Sequence, residues 1–265
     1  RQGIAFKASL NSILDRNISK EPLKNELEVE QVEKELKNST FFLKAVESRS
    51  QTSNPKPPFR TSTLQMAAAS SLGFTADRTM QSAQKLYEGG FITYLRTDGI
   101  SISTSPNTGE PFSEENPGPP PLEEIRNFIR SNYAKTYLSK ETRIFKSKVQ
   151  NSQEAHEAIR PTDIFKTPKD TILNADEAKL YELIWNRTVA SQMESSKYER
   201  KTLVISSSDG KYEFRASSRK NIFQGFEILI SASEKEDSFF PEDLSEGMPL
   251  DLLSCLLYTS DAADE

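Results

Sequence analysis

The sequence predicts an α+β fold in which a mostly helical domain is inserted into a β-rich one. Three observations carry this reading. Strand-like segments lie toward both ends of the 265-residue chain, amphipathic helical patterns fill the middle, and a polar, Pro-rich stretch from Gln51 to Pro58 separates the first block from the helices. Strand-type segments that bracket a helical block fit one β-rich unit interrupted by an insertion.

In chain order, residues 3–11 (GIAFKASLN) read as a strand, Glu28 to Lys37 as a charged helix, and Thr40 to Ser48 alternates like a strand. Past the linker, Ser62 and Gln65 have the spacing of a capping box that opens a helix over Thr63 to Leu72, and Gly73 is placed to end it. Thr75 can cap the next helix, Ala76 to Glu88, which carries Met80, Ala83, Leu86 and Tyr87 on one side. Helix, short glycine turn and helix resemble a helix-turn-helix. Ser103 to Pro121, rich in Pro, Ser and acids, reads as a mobile loop. Leu122 to Tyr133 and Asp176 to Met193 read as helices, the second with a core stripe of Leu180, Leu183, Ile184, Trp185 and Val189. Thr202 to Ser206 and Tyr212 to Ala216 flank Ser208-Asp209-Gly210, a hairpin signal, and Ile222 to Ile230 supplies a further strand candidate. The expected division is 1–54 and 198–254 for the β-rich domain and 55–197 for the helical one.

Composition narrows the function. The net charge of −5 argues against a generic nucleic-acid binder, so any DNA contact must come from a local patch. One candidate comprises Arg126, Arg130, Lys135, Lys140, Arg143, Lys146 and Lys148; a solvated helix face and loop is the alternative. No run is long and apolar enough to span a membrane. Arg1 stands where an initiator Met is expected, which reads as a missing N-terminus. Residues 255–265 (CLLYTSDAADE) read like a translated sequencing-adapter sequence, with a genuine acidic tail as the alternative. Without that tail the chain has no cysteine, hence no disulfide or thiolate zinc site, and its charge moves from −5 to −2.

The chemistry concentrates in Phe91-Ile-Thr-Tyr-Leu-Arg-Thr-Asp98, just after Gly89-Gly90. If this stretch is extended, Ile92, Tyr94, Arg96 and Asp98 share one face. A phenol is a poor nucleophile at its ordinary pKa of about 10, but a nearby cation favours the phenolate and stabilises charge developing on phosphorus. A tyrosyl phosphate would conserve the energy of a broken DNA linkage, so resealing needs no ATP. Taken alone, the pair also fits a half-buried strand with a solvated charge.

The wording of this stretch, ITYLRTDG, resembles the active-site motif of the type IA DNA topoisomerases, in which a Tyr-x-Arg-Thr-Asp core carries the nucleophile. Asn151-Ser-Gln-Glu-Ala-His-Glu-Ala-Ile-Arg-Pro-Thr162 resembles that family's SQEAHEAIRPT motif. Pro58-Phe-Arg-Thr-Ser-Thr-Leu-Gln65 and Leu180-Tyr-Glu-Leu-Ile-Trp185 followed by Val189-Ala-Ser-Gln-Met193 also fit, in family order. Leu95 between the Tyr and the Arg, where the topoisomerase III group has Pro, makes the topoisomerase I branch the better match.

The resemblance implies that the helical domain is inserted into a β-rich arch that hinges a DNA gate. It implies that Tyr94 and Arg96 are catalytic and that His156 binds DNA near the scissile phosphate. His156 is the sole histidine, and on a helix Arg160 would share its face at i+4. Arg160 reads equally as a phosphate contact or as an ion-pair partner of Glu157. Gln84 and Glu88, one turn apart, are implied to face the cleft, against the bland reading of a solvated face. Thr93, Thr97 and Asp98 flank the nucleophile as further DNA-contact candidates, Asp98 either holding Arg96 or capping the next turn. The resemblance implies a magnesium site on a separate N-terminal domain, and nothing here matches its Asp-x-Asp pattern, so Mg2+ is expected for the intact enzyme and none for this stretch. The expected partner is DNA, single-stranded or negatively supercoiled, for a monomer in a bacterial cytoplasm at the nucleoid, or in an organelle. The remaining alternatives are a DNA-binding helix-turn-helix module without chemistry and the topoisomerase module of a reverse gyrase.

Overall fold

A computed structural model describes residues 5–14, 16–105, 119–146, 157–230 and 240–255. His156 with the first part of its motif, most of the Ser103 to Pro121 loop, Lys148 and the tail beyond Cys255 lie outside the described residues. The chain divides into two compact units. One comprises residues 1–51, 198–222 and 235–265, the other 52–197 and 223–234.

The first unit is built on a six-stranded sheet of order β2-β1-β5-β4-β3-β6. Its strands are β1 (Ser9–Ile13), β2 (Arg16–Asn17), β3 (Phe41–Ser53), β4 (Ser196–Ser207), β5 (Tyr212–Phe223) and β6 (Pro249–Leu250). β1 pairs antiparallel with β5, Leu10 opposite Phe214 and Ile13 opposite Tyr212, with a register shift between Leu10 and Ser12. Helix α1 (Glu26–Lys37) starts where the Asn25 side chain accepts the Glu28 N–H, and it carries Glu26 and Glu28 in its first turn and Lys34 and Lys37 in its last, matching the helix dipole. Its buried residues Val32 and Leu36, one turn apart, join Phe41, Leu43, Leu203, Ile205, Tyr212 and Ala216 in one core. On the same helix Glu35 takes bonds from the Lys211 ammonium and from the Tyr212 hydroxyl. The Lys211 bond first, then that from Tyr212, pulls the Glu35 carboxyl down to about 2.

The second unit packs α5 (Ala175–Ala190) against α2 (Thr61–Leu72), α3 (Ala76–Glu88) and α4 (Pro121–Asn132). The core runs through Leu64, Ala83, Leu86, Ile92, Leu95, Ile125, Ile129, Ile159, Leu180, Ile184, Trp185 and Val189. The Trp185 indole N–H donates to the Ile164 carbonyl at 3.0 Å, so its one polar atom is satisfied inside. Gly73 ends α2 at φ 67° and Thr75 caps α3 through the Arg78 N–H, giving helix, three-residue turn and helix. Arg78 forks onto both oxygens of Asp176 at 2.7 Å, tying α3 to α5.

Several local expectations change. The first strand covers Ser9–Ile13, not residues 3–11; β3 runs on to Ser53, into the expected linker. The start of α2 is set not by Ser62 and Gln65 but by Thr63, whose hydroxyl accepts the Arg60 N–H at 3.1 Å. The strand expected over Ile222 to Ile230 ends at Phe223 and gives way to a 3-10 helix, Gly225–Leu229. Gly225 forces that exit: it sits at φ 52°, and a Cβ there would lie 2.5 Å from the Glu194 carbonyl oxygen.

Candidate active site

The site grows from the end of α3. Gly90, at φ 72°, turns the chain, and the Phe91 N–H closes on the Leu86 carbonyl at 2.8 Å. Beyond it the chain is extended but bent, not a regular strand. From Tyr94 the side chains alternate: Tyr94, Arg96 and Asp98 are exposed, whereas Leu95, Thr97 and Gly99 are buried. Ile92 does not share the exposed face as expected. It is buried in the core, because the bend at Thr93 resets the two-residue period.

Threonine hydroxyls lock this segment from behind. Thr93 Oγ1 donates to the Ala158 carbonyl at 2.8 Å and accepts the Arg160 N–H at 3.0 Å. Thr97 Oγ1 donates to the Glu157 carbonyl at 3.0 Å and accepts the Gly99 N–H at 2.9 Å. Thr61, in the first turn of α2, donates its hydroxyl to the Leu95 carbonyl at 2.7 Å and accepts the Thr97 N–H at 2.9 Å. The hydroxyls of Thr93 and Thr97 thus serve the framework that carries Tyr94 and Arg96.

The segment beside it, 157–162, is not the helix expected around His156 and Arg160. Pro161 disfavours a helical Arg160. The N–H groups of Ala158 and Ile159 donate instead to the carbonyls of Ser101 and Phe59, at 2.9 and 2.8 Å. Arg160 is 7% exposed. Its Nε and Nη2 meet the two oxygens of Glu157 at 2.8 and 3.1 Å, and its Nη1 donates to the Pro161 carbonyl at 2.8 Å. Of its two readings, the ion pair is the one the geometry forms. Glu157 also accepts the Ser103 N–H at 2.8 Å. Nearby, burial pushes the Glu124 carboxyl up, opposed by the Arg160 charge.

The exposed side is differently furnished. Tyr94 is 53% exposed, and its ring stands edge-to-face with Tyr87 of α3, centroids 5.5 Å apart. On α3 the Gln84 amide donates to the Glu88 carboxylate at 2.8 Å. Arg96, Thr97 and Asp98 line an open cleft of about 470 Å³ with Arg60, Thr61 and Ser62. Among the described residues no carboxylate pairs with Arg96 or Arg60. Tyr87 and Arg60, which the sequence did not single out, are thus brought beside Tyr94 and Arg96.

The proposed basic run is only partly a surface. Arg126 is buried and donates to Ser139 and to the Glu141 carbonyl. Arg143 bonds the Met193 carbonyl and Ser195 Oγ, and Arg130 pairs with Glu123. Lys135, Lys140 and Lys146 are exposed. No group of three or more acidic, histidine or cysteine side chains among the described residues is arranged to hold a metal ion. The described residues therefore do not fit a magnesium site. None of their helices is long and apolar enough to cross a membrane.

An exposed phenol, a neighbouring guanidinium with no described counter-ion and a rigid backing suit nucleophilic attack on a phosphodiester. Comparison with known proteins points the same way. The DNA topoisomerase family profile matches residues 3–257. DNA topoisomerase 1 of Rickettsia bellii (strain RML369-C) is 39% identical over 251 residues, covering 89% of this chain and 30% of that protein. DNA topoisomerase 1 of Helicobacter pylori (strain ATCC 700392 / 26695) is 37% identical over 258 residues, 93% of this chain and 32% of that protein. The solved structure of full-length topoisomerase I from Thermotoga maritima superposes with a TM-score of 0.66 at 32% identity, covering 92% of this chain and 36% of that one. The chain thus spans about a third of the length of these relatives.

Proposed function

We infer the role of Tyr94 from one established premise: this chain belongs to the type IA DNA topoisomerase family. Tyr94 is the nucleophile that opens one DNA strand. Its Oη forms a bond to the scissile phosphorus, and the bond from phosphorus to the 3′ oxygen breaks. The phenol gives up a proton and the departing 3′ oxygen takes one. A 5′-phosphotyrosine and a free 3′ hydroxyl result. One phosphate diester replaces another, so the reverse attack reseals the strand without ATP. In the interval a second strand passes, and negatively supercoiled DNA relaxes.

Arg96 supplies a fixed cation to the oxygens of the scissile phosphate, where charge builds in the transition state. Gln84, Glu88, Thr93, Thr97, Asp98, Arg160 and His156 are proposed to line or support the bound strand, Thr93, Thr97 and Arg160 through the backing they give the Tyr94 segment. The 1–54 and 198–254 stretches are proposed as the arch of the gate. The setting is a monomer acting on single-stranded or underwound DNA at the nucleoid of a bacterial cytoplasm. Magnesium is proposed as a requirement of the complete polypeptide, and no step above is routed through it.

The observation that supports this reading most is that Tyr94 and Arg96 share the exposed side of a segment whose other side is tied down by Thr61, Thr93 and Thr97. In the complete polypeptide, Tyr94→Phe is expected to abolish plasmid relaxation while single-stranded DNA binding persists. Normal relaxation by Tyr94→Phe would remove Tyr94 as nucleophile.

A further inference from the structure

Resting on the reading of Tyr94 as nucleophile, we propose that Arg60 is a second phosphate anchor, holding a backbone phosphate that flanks the scissile one assigned to Arg96. Arg60 is the residue immediately before α2 and, with Thr61 and Ser62 of the first turn, forms one wall of the cleft whose other wall is Arg96, Thr97 and Asp98. Two arginines and one carboxylate, Asp98, line this cleft. The local balance is therefore positive on a chain that is acidic overall.

Three features separate Arg60 from the arginines of the framework. Its Nε is buried and has no hydrogen-bond partner among the described residues. The framework thus leaves this guanidinium incompletely satisfied, and phosphate is the anion that suits its planar fork best; the buried Nε is out of a ligand's reach, so the contact is assigned to the terminal nitrogens. Arg126, Arg143 and Arg160, by contrast, bond carbonyl, hydroxyl or carboxylate oxygens. The cleft, at about 470 Å³, falls within the range of sites that hold whole small molecules, about 300–1,000 Å³, so it admits a nucleotide unit rather than a lone ion. Finally, the wall that carries Arg60 is tied to the Tyr94 segment by the hydrogen bonds of Thr61 to the carbonyls of Leu95 and Thr97. A phosphate held at Arg60 is thereby placed at a fixed offset from Tyr94. The occupant is a nucleic-acid backbone read by charge and not by base, so the site is indifferent to sequence.

The test is titration of the 265-residue chain with a fluorescent single-stranded oligonucleotide over a series of salt concentrations. Arg60→Ala is expected to weaken binding about tenfold at low salt and to flatten the log–log salt slope by about 0.7, the signature of one lost phosphate contact on a single strand. Arg60→Lys is expected to keep the slope and recover part of the affinity, since it retains charge but not the planar fork. Arg49→Ala, which removes an equal charge from the other unit, is expected to change neither. A slope unchanged by Arg60→Ala, an equal effect of Arg49→Ala, or no binding by the unmodified chain at the lowest salt overturns the proposal. Thermal unfolding of each variant separates a folding defect: a loss of affinity that Lys does not rescue, with a lowered melting temperature, makes Arg60 structural and also overturns it. Failure of the nucleophile reading is distinct, since it shows as no covalent adduct at Tyr94 in the complete polypeptide whatever the salt slope.

Discussion

The Tyr94 segment and the 157–162 segment are hydrogen-bonded neighbours in the helical unit, yet they treat arginine in opposite ways. Arg160 is buried, forked onto Glu157 and bonded to a carbonyl. Arg96 is exposed on the cleft, and no carboxylate among the described residues pairs with it. Desolvating a guanidinium is costly and is offset only by full pairing. Leaving one in water is cheap and keeps its donors available to a phosphate. Neighbouring arginines thus divide between one spent on the framework and one left open to a ligand, the part proposed for Arg96.

The contrast can be broken at either side. The largest effect after loss of the phenol itself is expected at Arg96. Arg96→Ala in the complete polypeptide should slow strand cleavage by about 3 kcal/mol, on the order of 10²-fold, with a smaller loss in DNA affinity. Arg96→Lys should rescue only part of the rate. Equal losses in affinity and rate, read from single-turnover cleavage against equilibrium binding, would reduce Arg96 to a plain anchor. At Arg160 the prediction reverses. Arg160→Ala should destabilise the helical unit by about 2–3 kcal/mol, because it strands the Glu157 carboxylate while the main-chain bonds of residue 160 to Thr93 remain. The figure sits at or below the low end for buried pairs because the Glu157 side chain keeps 26% of its exposure. Denaturant midpoints check this; an unchanged midpoint with weakened DNA binding would move Arg160 to the chemical side.

Removing the Thr93 hydroxyl is a smaller perturbation. Thr93→Val deletes a donor to the Ala158 carbonyl and an acceptor of the Arg160 N–H, at a cost of about 1–2 kcal/mol. Because it loosens the ledge without touching the phenol, cleavage should slow even where the protein remains folded. The smallest effect concerns the β-rich unit and depends on pH. Glu35 has its folded pKa pulled to about 2 from an ordinary value of 4.5, so its stabilising contribution is present above about 4.5 and is lost as pH falls toward 2. Glu35→Gln should therefore flatten the acid limb of the stability curve between those values, read by exchange of the β5 amides. An identical acid limb in both proteins would show that the Lys211 and Tyr212 contacts carry no linked proton.

How far the sequence showed this in advance depended on whether the deciding signal was local. Thr75, Gly73 and the Ala76 to Glu88 pattern specified α3 to the residue, because a cap, a left-handed glycine and a 3.6-residue period are all local. The Ser208-Asp209-Gly210 turn marked the β4–β5 hairpin for the same reason. The form of 157–162 was not legible, since its hydrogen bonds go to Ser101, Phe59 and Thr93, far away in sequence. The strand expected past Ile222 failed because only the close approach of Gly225 to Glu194 converts that apolar run into a 3-10 turn. The shared exposed face of Tyr94 and Arg96 was legible from their two-residue spacing. The place of Arg60 was not legible, because nothing in the linear order says that residue 60 and residue 96 line one cleft.

The most direct test of Tyr94 is to trap the complete polypeptide on a labelled single-stranded oligonucleotide with denaturant, digest the adduct with protease and nuclease, and locate the nucleotide by mass spectrometry. A single adduct on the peptide containing Tyr94, carried through a 5′ phosphate and lost in Tyr94→Phe, is the predicted result. An adduct on Tyr87 or any other side chain, or a 3′-linked phosphate at Tyr94, would contradict it.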